Sequence, residues 1–558
     1  MNLVKKHPWL DHYDSHVSKK LRYPWISVVD LLRNAKKKFP NKVCIIDEDY
    51  KINYEELDAL SDQLAKGLIE LGIKKGESVG IILPNCSEFV ISFFATLKSG
   101  GVVVAINPFF QAREFIDVIQ AAKVNRIICE EEFLPRILDI KNNCSIKTII
   151  VCARSKLSAI LKAKSTNQNI SSILQQEQFV RFENLFLQES SKKLELCQPD
   201  DPAIYQFTGG TTGNPKAVIG LHRNLVANAM QFMVWCNLKV GEETILAAIP
   251  LYHVYGMVLT LCLGVMAGAR IVLIRDGRNS ETVVTNLKKN NVSFFPAVPS
   301  MFYALIHQPA VREKKYNLKS IKACISGSAP LLTKTKNDFE LMTGAKIMEG
   351  YGLSEAPTAT HCNPFIGENK TGSIGMPLPD VNCRIVDLES GKKDLEVGEY
   401  GELIIKGPQV MKGYFDNEKE TALVLRDGWL FTGDVARMDK DGYFYIIDRK
   451  KSMIKVSGFQ VWPNEVERVI AELSAVKEVG VGGVSDEKKG EKVIAWLVFH
   501  PGMDLSNDEI IQWCRKNLAA YKIPSEIYRR ESLPRTNVGK ILRKELINEY
   551  LSSTKKRV

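Results

Sequence analysis

The chain has 558 residues, of which 45% are hydrophobic, 25% charged and 8% aromatic, with a formal net charge of +11. That length exceeds what one hydrophobic core can serve, so about two to four folding units are expected, and the composition excludes a disordered chain. The positive balance suits anionic partners such as nucleotides, phosphates or an acidic membrane surface, although solvated surface lysines account for it as well.

The N-terminal stretch "MNLVKKHPWLDHYDS" lacks the apolar core of a secretory signal. From Ser78 to Glu131 the segments "SVGIILP", "GVVVAIN" and "NRIICEE" read as strands, and "SEFVISFFATLKSG" and "REFIDVIQAAK" as the helices between them. Continuous β-branched runs separated by helical periodicity predict βαβ units and a parallel sheet covered on both faces. Residues 155–195 are polar and aperiodic, and read as a surface insertion. The pattern returns from Thr244 to Gly350 in "TILAAIP", "RIVLI", "VSFFPAV" and "IKACISGS". The most apolar run, 257–274, holds Gly264, Gly268 and Arg270, and reads as a buried helix followed by a strand rather than a membrane span. Between Gly372 and Lys406 short strands with Gly/Pro punctuation ("SIGMPLP", "NCRIVDL", "GELIIKG") suggest a small β-barrel or sandwich. After Asp448 a separate α+β domain is expected. The 12 cysteines are scattered, with no C-x-x-C pair, which argues against zinc and a disulfide framework and for a reducing compartment. A soluble, cytoplasmic protein is the expectation. No Ser/His/Asp set or nucleic-acid module is present, and the basic tail "STKKRV" reads as solvated.

At the entrance to the second α/β unit lies "AIYQFTGGTTGNPKAVIG" (203–220). Small residues let the backbone approach a ligand, and successive N–H groups in such turns form anion-binding nests. Thr208, Thr211 and Thr212 add hydroxyl donors and Lys216 a point charge, which is the chemistry of a triphosphate cradle. A P-loop is excluded, because it needs glycine directly before the lysine and Ser/Thr after it, whereas Lys216 stands between Pro215 and Ala217.

The loop resembles the phosphate-binding signature of the adenylate-forming superfamily: acyl-CoA synthetases, peptide-synthetase adenylation domains and beetle luciferases. "LYHVYG" (251–256), "SGSAP" (326–330), "EGYGLSEAP" (349–357), "DGWLFTGDVARMDKDGYFYIIDRKKSMIKVSGFQVWPNEVE" (427–467) and "LPRTNVGKILRKEL" (533–546) follow in the family's order. The stretch 427–467 looks like the fatty acyl-CoA synthetases, and "WLDHYDSHV" with "TGGTTG" is similar to the bacterial long-chain fatty acid–CoA ligases. Gly209 stands where serine is common, Ala217 where glycine is, and Ser354 where threonine is.

The resemblance implies a large N-terminal α/β domain (1–448) with two doubly wound sheets and a small β-barrel at about 370–448. A hinge at 449–454 and a small mobile α+β lid (455–558) would follow. It implies ATP, Mg²⁺ and coenzyme A, with a medium- to long-chain fatty acid activated through acyl-AMP, and leaves room for peripheral attachment to the inner membrane and for a homodimer. Thr208, Gly209, Gly210, Thr211, Thr212, Gly213 and Lys216 would cradle the phosphates, and Glu355 with Thr211 would hold the metal. Lys540 would bridge carboxylate and α-phosphate. Gly327, Ser328 and Ala329 would line the adenine, and Tyr351, between Gly350, Gly352 and Ser354, would stack on it. Asp434 and Arg449 would take the ribose. Lys451 would be the hinge about which Lys455 and Gly458 enter for thioester formation. The acyl pocket would form from Leu221–Asn237, His253–Met257 and Pro296–Phe302. Each assignment has a structural alternative: a core aromatic for Tyr351, a surface pair for Asp434–Arg449, and a surface cation for Lys540, as for its neighbours Arg543 and Lys544. For His253 a packed residue and a shield of the acyl pocket stand level. The rival functions are a fatty acyl-AMP ligase feeding a carrier protein and a catalytically inactive nucleotide-binding scaffold.

Overall fold

The computed structural model describes residues 7–153, 178–186, 192–207, 215–313, 317–486, 488–535 and 541–555. They divide into two compact units, the larger made of Trp9–Asn382 with Lys406–Leu430, and the smaller of Cys383–Ile405 and the chain from Phe431 onward.

The larger unit carries two sheets. In the eight-stranded one the order is Gly413–Tyr414, Ala217–Leu221, Pro202–Phe207, Val102–Ala105, Ser78–Ile82, Arg126–Glu130, Thr148–Cys152 and Phe179–Arg181. The last six run parallel, and the first two join antiparallel. "SVGII" and "VVVA" are buried at every position because helices cover both faces. The helix Ser87–Lys98 is buried along its whole length. Even the Lys98 ammonium is enclosed, donating to the Asp58 carboxylate at 2.6 Å and to Ser61 Oγ at 2.9 Å from the helix Tyr54–Glu70. The strand Phe179–Arg181, with Phe179, Phe182 and Leu185 buried, corrects the reading of 155–195 as wholly a surface insertion; residues 154–177 and 187–191 lie outside the described ones.

The nine-stranded sheet runs Met376–Pro377, His361–Cys362, Lys346–Tyr351, Ala323–Ser326, Phe294–Ala297, Thr244–Ala247, Arg270–Leu273, Val43–Asp47 and Tyr50–Asn53. Met376–Pro377, grouped with the barrel by its glycine and proline punctuation, instead pairs with His361–Cys362 at this sheet's edge. Asp47 ties the two sheets together: its carboxylate accepts from Ser87 N–H (2.7 Å) and Oγ–H (2.8 Å), a negative charge at a helix N-terminus.

In the smaller unit, Asn382–Val386, Gly401–Lys406, Trp429–Met438 and Phe444–Arg449 form a curled sheet. A second sheet of Phe459–Val461, Ile454–Val456, Gly490–Phe499, Val476–Asp486 and Glu526–Arg529 packs with the helices Pro463–Ala471, Asn507–Asn517 and Arg543–Lys555. Among the described residues no helix is long and apolar enough to cross a membrane.

Candidate active site

The strands Pro202–Phe207 and Ala217–Leu221 pair antiparallel, with Phe207 opposite Ala217. The strands that flank residues 208–214 thus both belong to the eight-stranded sheet rather than to the second α/β unit. Thr208, Gly209, Gly210, Thr211, Thr212 and Gly213 lie outside the described residues, as does Lys540. The methyl group of Ala217 is buried in the apolar cluster of this sheet, with Tyr205 and Phe115. Lys216 is half-buried; its ammonium donates to Glu420 Oε2 at 2.5 Å and sits 5.2 Å from the centre of the Tyr414 ring. A cavity of about 290 Å³ opens here, lined in part by Lys123, Lys216, Tyr414 and Asn417.

Tyr414 reaches the other side as well, its hydroxyl donating to Glu355 Oε1 at 2.9 Å. The structure thus brings Glu355 and Lys216 onto one tyrosine, from positions far apart in sequence. Glu355 sits in a loop closed by Thr360 N–H donating to Tyr351 O at 2.9 Å. Gly352 is obligatory in that loop: a Cβ there would lie 1.7 Å from the Thr358 carbonyl oxygen. Ser354 is half-buried beside it.

The loop is held from behind by a stripe of buried side chains on the helix His222–Trp235, at positions 224, 228, 231 and 235, one face of the helix. Asn224 donates to Pro408 O at 2.7 Å. Asn228 accepts from Thr358 N–H (2.9 Å) and Ala359 N–H (3.2 Å) and donates to Ala359 O (2.8 Å). Gln231 donates to Pro379 O at 2.7 Å and Trp235 to Asn363 O at 2.9 Å. Sequence reading places this helix at the acyl pocket and gives its amides no role; the signal was the i, i+4, i+7 spacing of polar residues in an otherwise apolar helix.

Gly350 and Tyr351 end the strand Lys346–Tyr351, and the Tyr351 ring meets His361 edge-on, centroids 5.9 Å apart. Their neighbour Glu349 is buried, and desolvation pushes its carboxyl up to about 7. Gly327 is buried against the Tyr255 ring, whose hydroxyl donates to Ile325 O (2.9 Å) and Ala297 O (3.1 Å); Ser328 holds φ +72° and Ala329 is half-buried beside it. His253 precedes a helical turn, its Nδ1 accepting from Tyr255 N–H at 3.2 Å. The helix then passes through a π-helical stretch, Met257–Cys262, a form found disproportionately at functional sites.

In the smaller unit Asp434 and Arg449 face each other across neighbouring strands, Nε to Oδ1 2.6 Å. The Asp434 carboxylate is buried while the Arg449 side chain is 42% exposed, so the pair is enclosed on the acid's side and open on the base's. Behind it, Glu402 accepts from Gly433 N–H (3.1 Å) and the Lys450 ammonium (2.9 Å). Lys451 follows in a single 3₁₀ turn and is exposed, and Lys455 is exposed on the strand Ile454–Val456. Gly458 has φ +85°, the left-handed region, at the turn into Phe459–Val461. Arg543 is not a surface cation: it donates to Glu467 at 2.6 Å and lies 3.7 Å from Asp448, which itself caps the helix at Asn464 N–H (2.8 Å).

Known proteins resemble this chain over almost its whole length. The sequence model of the AMP-binding enzymes matches residues 32–415, and that of the AMP-binding enzyme C-terminal domain matches 465–540. A long-chain-fatty-acid–CoA ligase of Bacillus subtilis (strain 168) is 37% identical over 557 residues, 97% of this chain and 98% of its own. ATP-bound MatB from Rhodopseudomonas palustris has a TM-score of 0.83 at 25% identity, covering 94% of this chain and 99% of its own. The anthranilate CoA ligase AuaEII in complex with anthranoyl-AMP has a TM-score of 0.84 at 25% identity, covering 95% and 99%. On these matches, over both halves and almost the full length, the chain belongs to the AMP-binding enzymes, the adenylate-forming ligases.

Proposed function

We propose that this ligase activates medium- to long-chain fatty acids. The carboxylate oxygen attacks the α-phosphorus of ATP, pyrophosphate leaves, and the CoA sulfur then displaces AMP from the acyl carbon. The observation that carries the reading is the Glu355–Tyr414–Lys216 arrangement, a hard carboxylate and an ammonium held at one tyrosine beside the strand Ala217–Leu221. Adenylation gathers negative charge, so such a site must supply cations and donors rather than a nucleophile. The long-chain-fatty-acid–CoA ligase of B. subtilis supports the acid class.

Among the described residues no cluster of three metal ligands occurs. A single carboxylate fits Mg²⁺, which keeps waters and takes substrate phosphates for its remaining positions. In this reading Glu355 and Thr211 hold the metal, which supplies charge neutralisation at the phosphates. Lys216 meets the phosphates and Lys540 the α-phosphate, while Asp434 and Arg449 take the ribose. Residues 449–454, centred on Lys451, form the hinge between 1–448 and the lid 455–558.

A panel of carboxylic acids from short to very long chains, scored for pyrophosphate and acyl-CoA, tests this directly. Thioester formation peaking at medium to long chains is expected. Acyl-AMP accumulating without thioester would replace the reading with an AMP ligase feeding a carrier, and no pyrophosphate with any acid would leave a nucleotide-binding scaffold.

A further inference from the structure

We propose that Tyr414 is a positioning residue of this centre: its hydroxyl fixes the rotation of the Glu355 carboxylate, and its ring helps seat the Lys216 ammonium. The inference rests on the reading that Glu355 meets the metal and Lys216 the phosphates.

Tyr414 is rigidly seated. It is 6% exposed and pairs with Val218 at the edge of the eight-stranded sheet. Its N–H donates to Thr421 Oγ1 at 2.9 Å, and it packs in an apolar cluster with Val218, Ala356 and Met411. The segment that carries it grips Glu355 twice. Met411 N–H donates to the Glu355 carbonyl oxygen at 2.9 Å, and Tyr414 O–H donates to Oε1 at the same distance. An ionised carboxylate only accepts, so the phenol is necessarily the donor. Engaging one oxygen fixes the plane of the carboxylate and leaves lone pairs of both oxygens for a cation, as outer partners of metal ligands do.

The second role comes from the ring. The Lys216 ammonium lies 5.2 Å from its centre, within cation–π range. The ring thus seats the ammonium beside the Glu355 loop, while Glu420 takes its charge in this structure.

The two functions separate by substitution. Tyr414→Phe keeps the ring and loses the hydroxyl. Binding of Mn²⁺ with α,β-methylene-ATP, read by electron paramagnetic resonance, should weaken about tenfold, and the Mg²⁺ concentration for half-maximal adenylation should rise by a similar factor. The KM for fatty acid and the melting temperature should hold. Tyr414→Leu, which loses the ring too, should weaken metal–nucleotide binding further. Unchanged Mn²⁺ binding in Tyr414→Phe would overturn the proposal, as would an equal fall in every parameter together with melting temperature, which marks a packing role. Glu355→Gln separates the levels. If it leaves metal binding intact, the reading of Glu355 fails and takes this inference with it; if it abolishes metal binding while Tyr414→Phe changes nothing, only the inference fails.

Discussion

Two ion pairs of nearly equal length behave as opposites. Asp434–Arg449 closes at 2.6 Å and Lys216–Glu420 at 2.5 Å. In the first, the carboxylate is 4% exposed and both partners sit on paired strands, so the geometry is set by the sheet. In the second both side chains are about one-third exposed, and the acid rides on the short helix Glu418–Val424. Distance alone does not separate a receptor from a resting contact. A buried carboxylate broken from its partners is costly, whereas an exposed pair is worth about 0–1 kcal/mol and exchanges readily. The Asp434 carboxylate is enclosed and held by the sheet; the Lys216–Glu420 pair is partly exposed and can exchange its partners.

The largest effect should follow Asp434→Ala. Losing charge-assisted hydrogen bonds of about 1.5–3 kcal/mol each should weaken binding of a non-hydrolysable ATP analogue by at least about tenfold, measured by calorimetry. Intact binding would remove Asp434 from the nucleotide site. Lys216→Ala should come next, lowering kcat/KM for ATP in the adenylation half-reaction by about tenfold, with Lys216→Arg recovering part of it as a charge should. A smaller change, of the opposite sign, is expected for Glu420→Gln. Freed from its partner, Lys216 should bind phosphate better, so KM for ATP should fall about twofold while stability moves by less than about 1 kcal/mol. A higher KM would mean that Glu420 orients the lysine instead of occupying it.

The subtlest test is pH. Burial raises Glu349 from 4.5 to about 7, so between those values the folded chain holds a proton that the unfolded chain has lost. Stability from this group therefore falls as pH rises through that window. Glu88, also near 7 by burial, acts in the same direction, while His222, lowered to about 4 by burial, acts oppositely between 4 and 6.5. Glu349→Gln should flatten the decline in melting temperature above pH 5; an unchanged slope would assign the decline elsewhere.

The two sheets, their helices and the separate α+β region were legible because each rests on local periodicity: "VVVA" has one burial outcome wherever it sits. Glu355, Asp434 and Arg449 were singled out by motif resemblance, and the fold adds their surroundings: Tyr414 for the first, paired strands for the other two. Tyr414 was not, because "MKGYFDN" has no chemistry until the sheet sets it beside Glu355, 59 residues away. Arg543 failed for the same reason: in a basic tail it reads as solvated, and only the fold supplies Glu467 and Asp448. Met376–Pro377 was misplaced since two residues carry too little pattern to choose between sheets.

The amide face of the helix His222–Trp235 limits how this enzyme could be retailored. Buried apolar positions of this helix such as Leu225 and Phe232 are open to exchange at the cost of lost packing. Asn228 and Gln231 are not. Converting Asn228 to leucine would orphan the amides of Thr358 and Ala359 inside the protein, at about 1–3 kcal/mol per unsatisfied group. Sequence change in this helix should therefore accumulate around this face and leave its polar positions untouched.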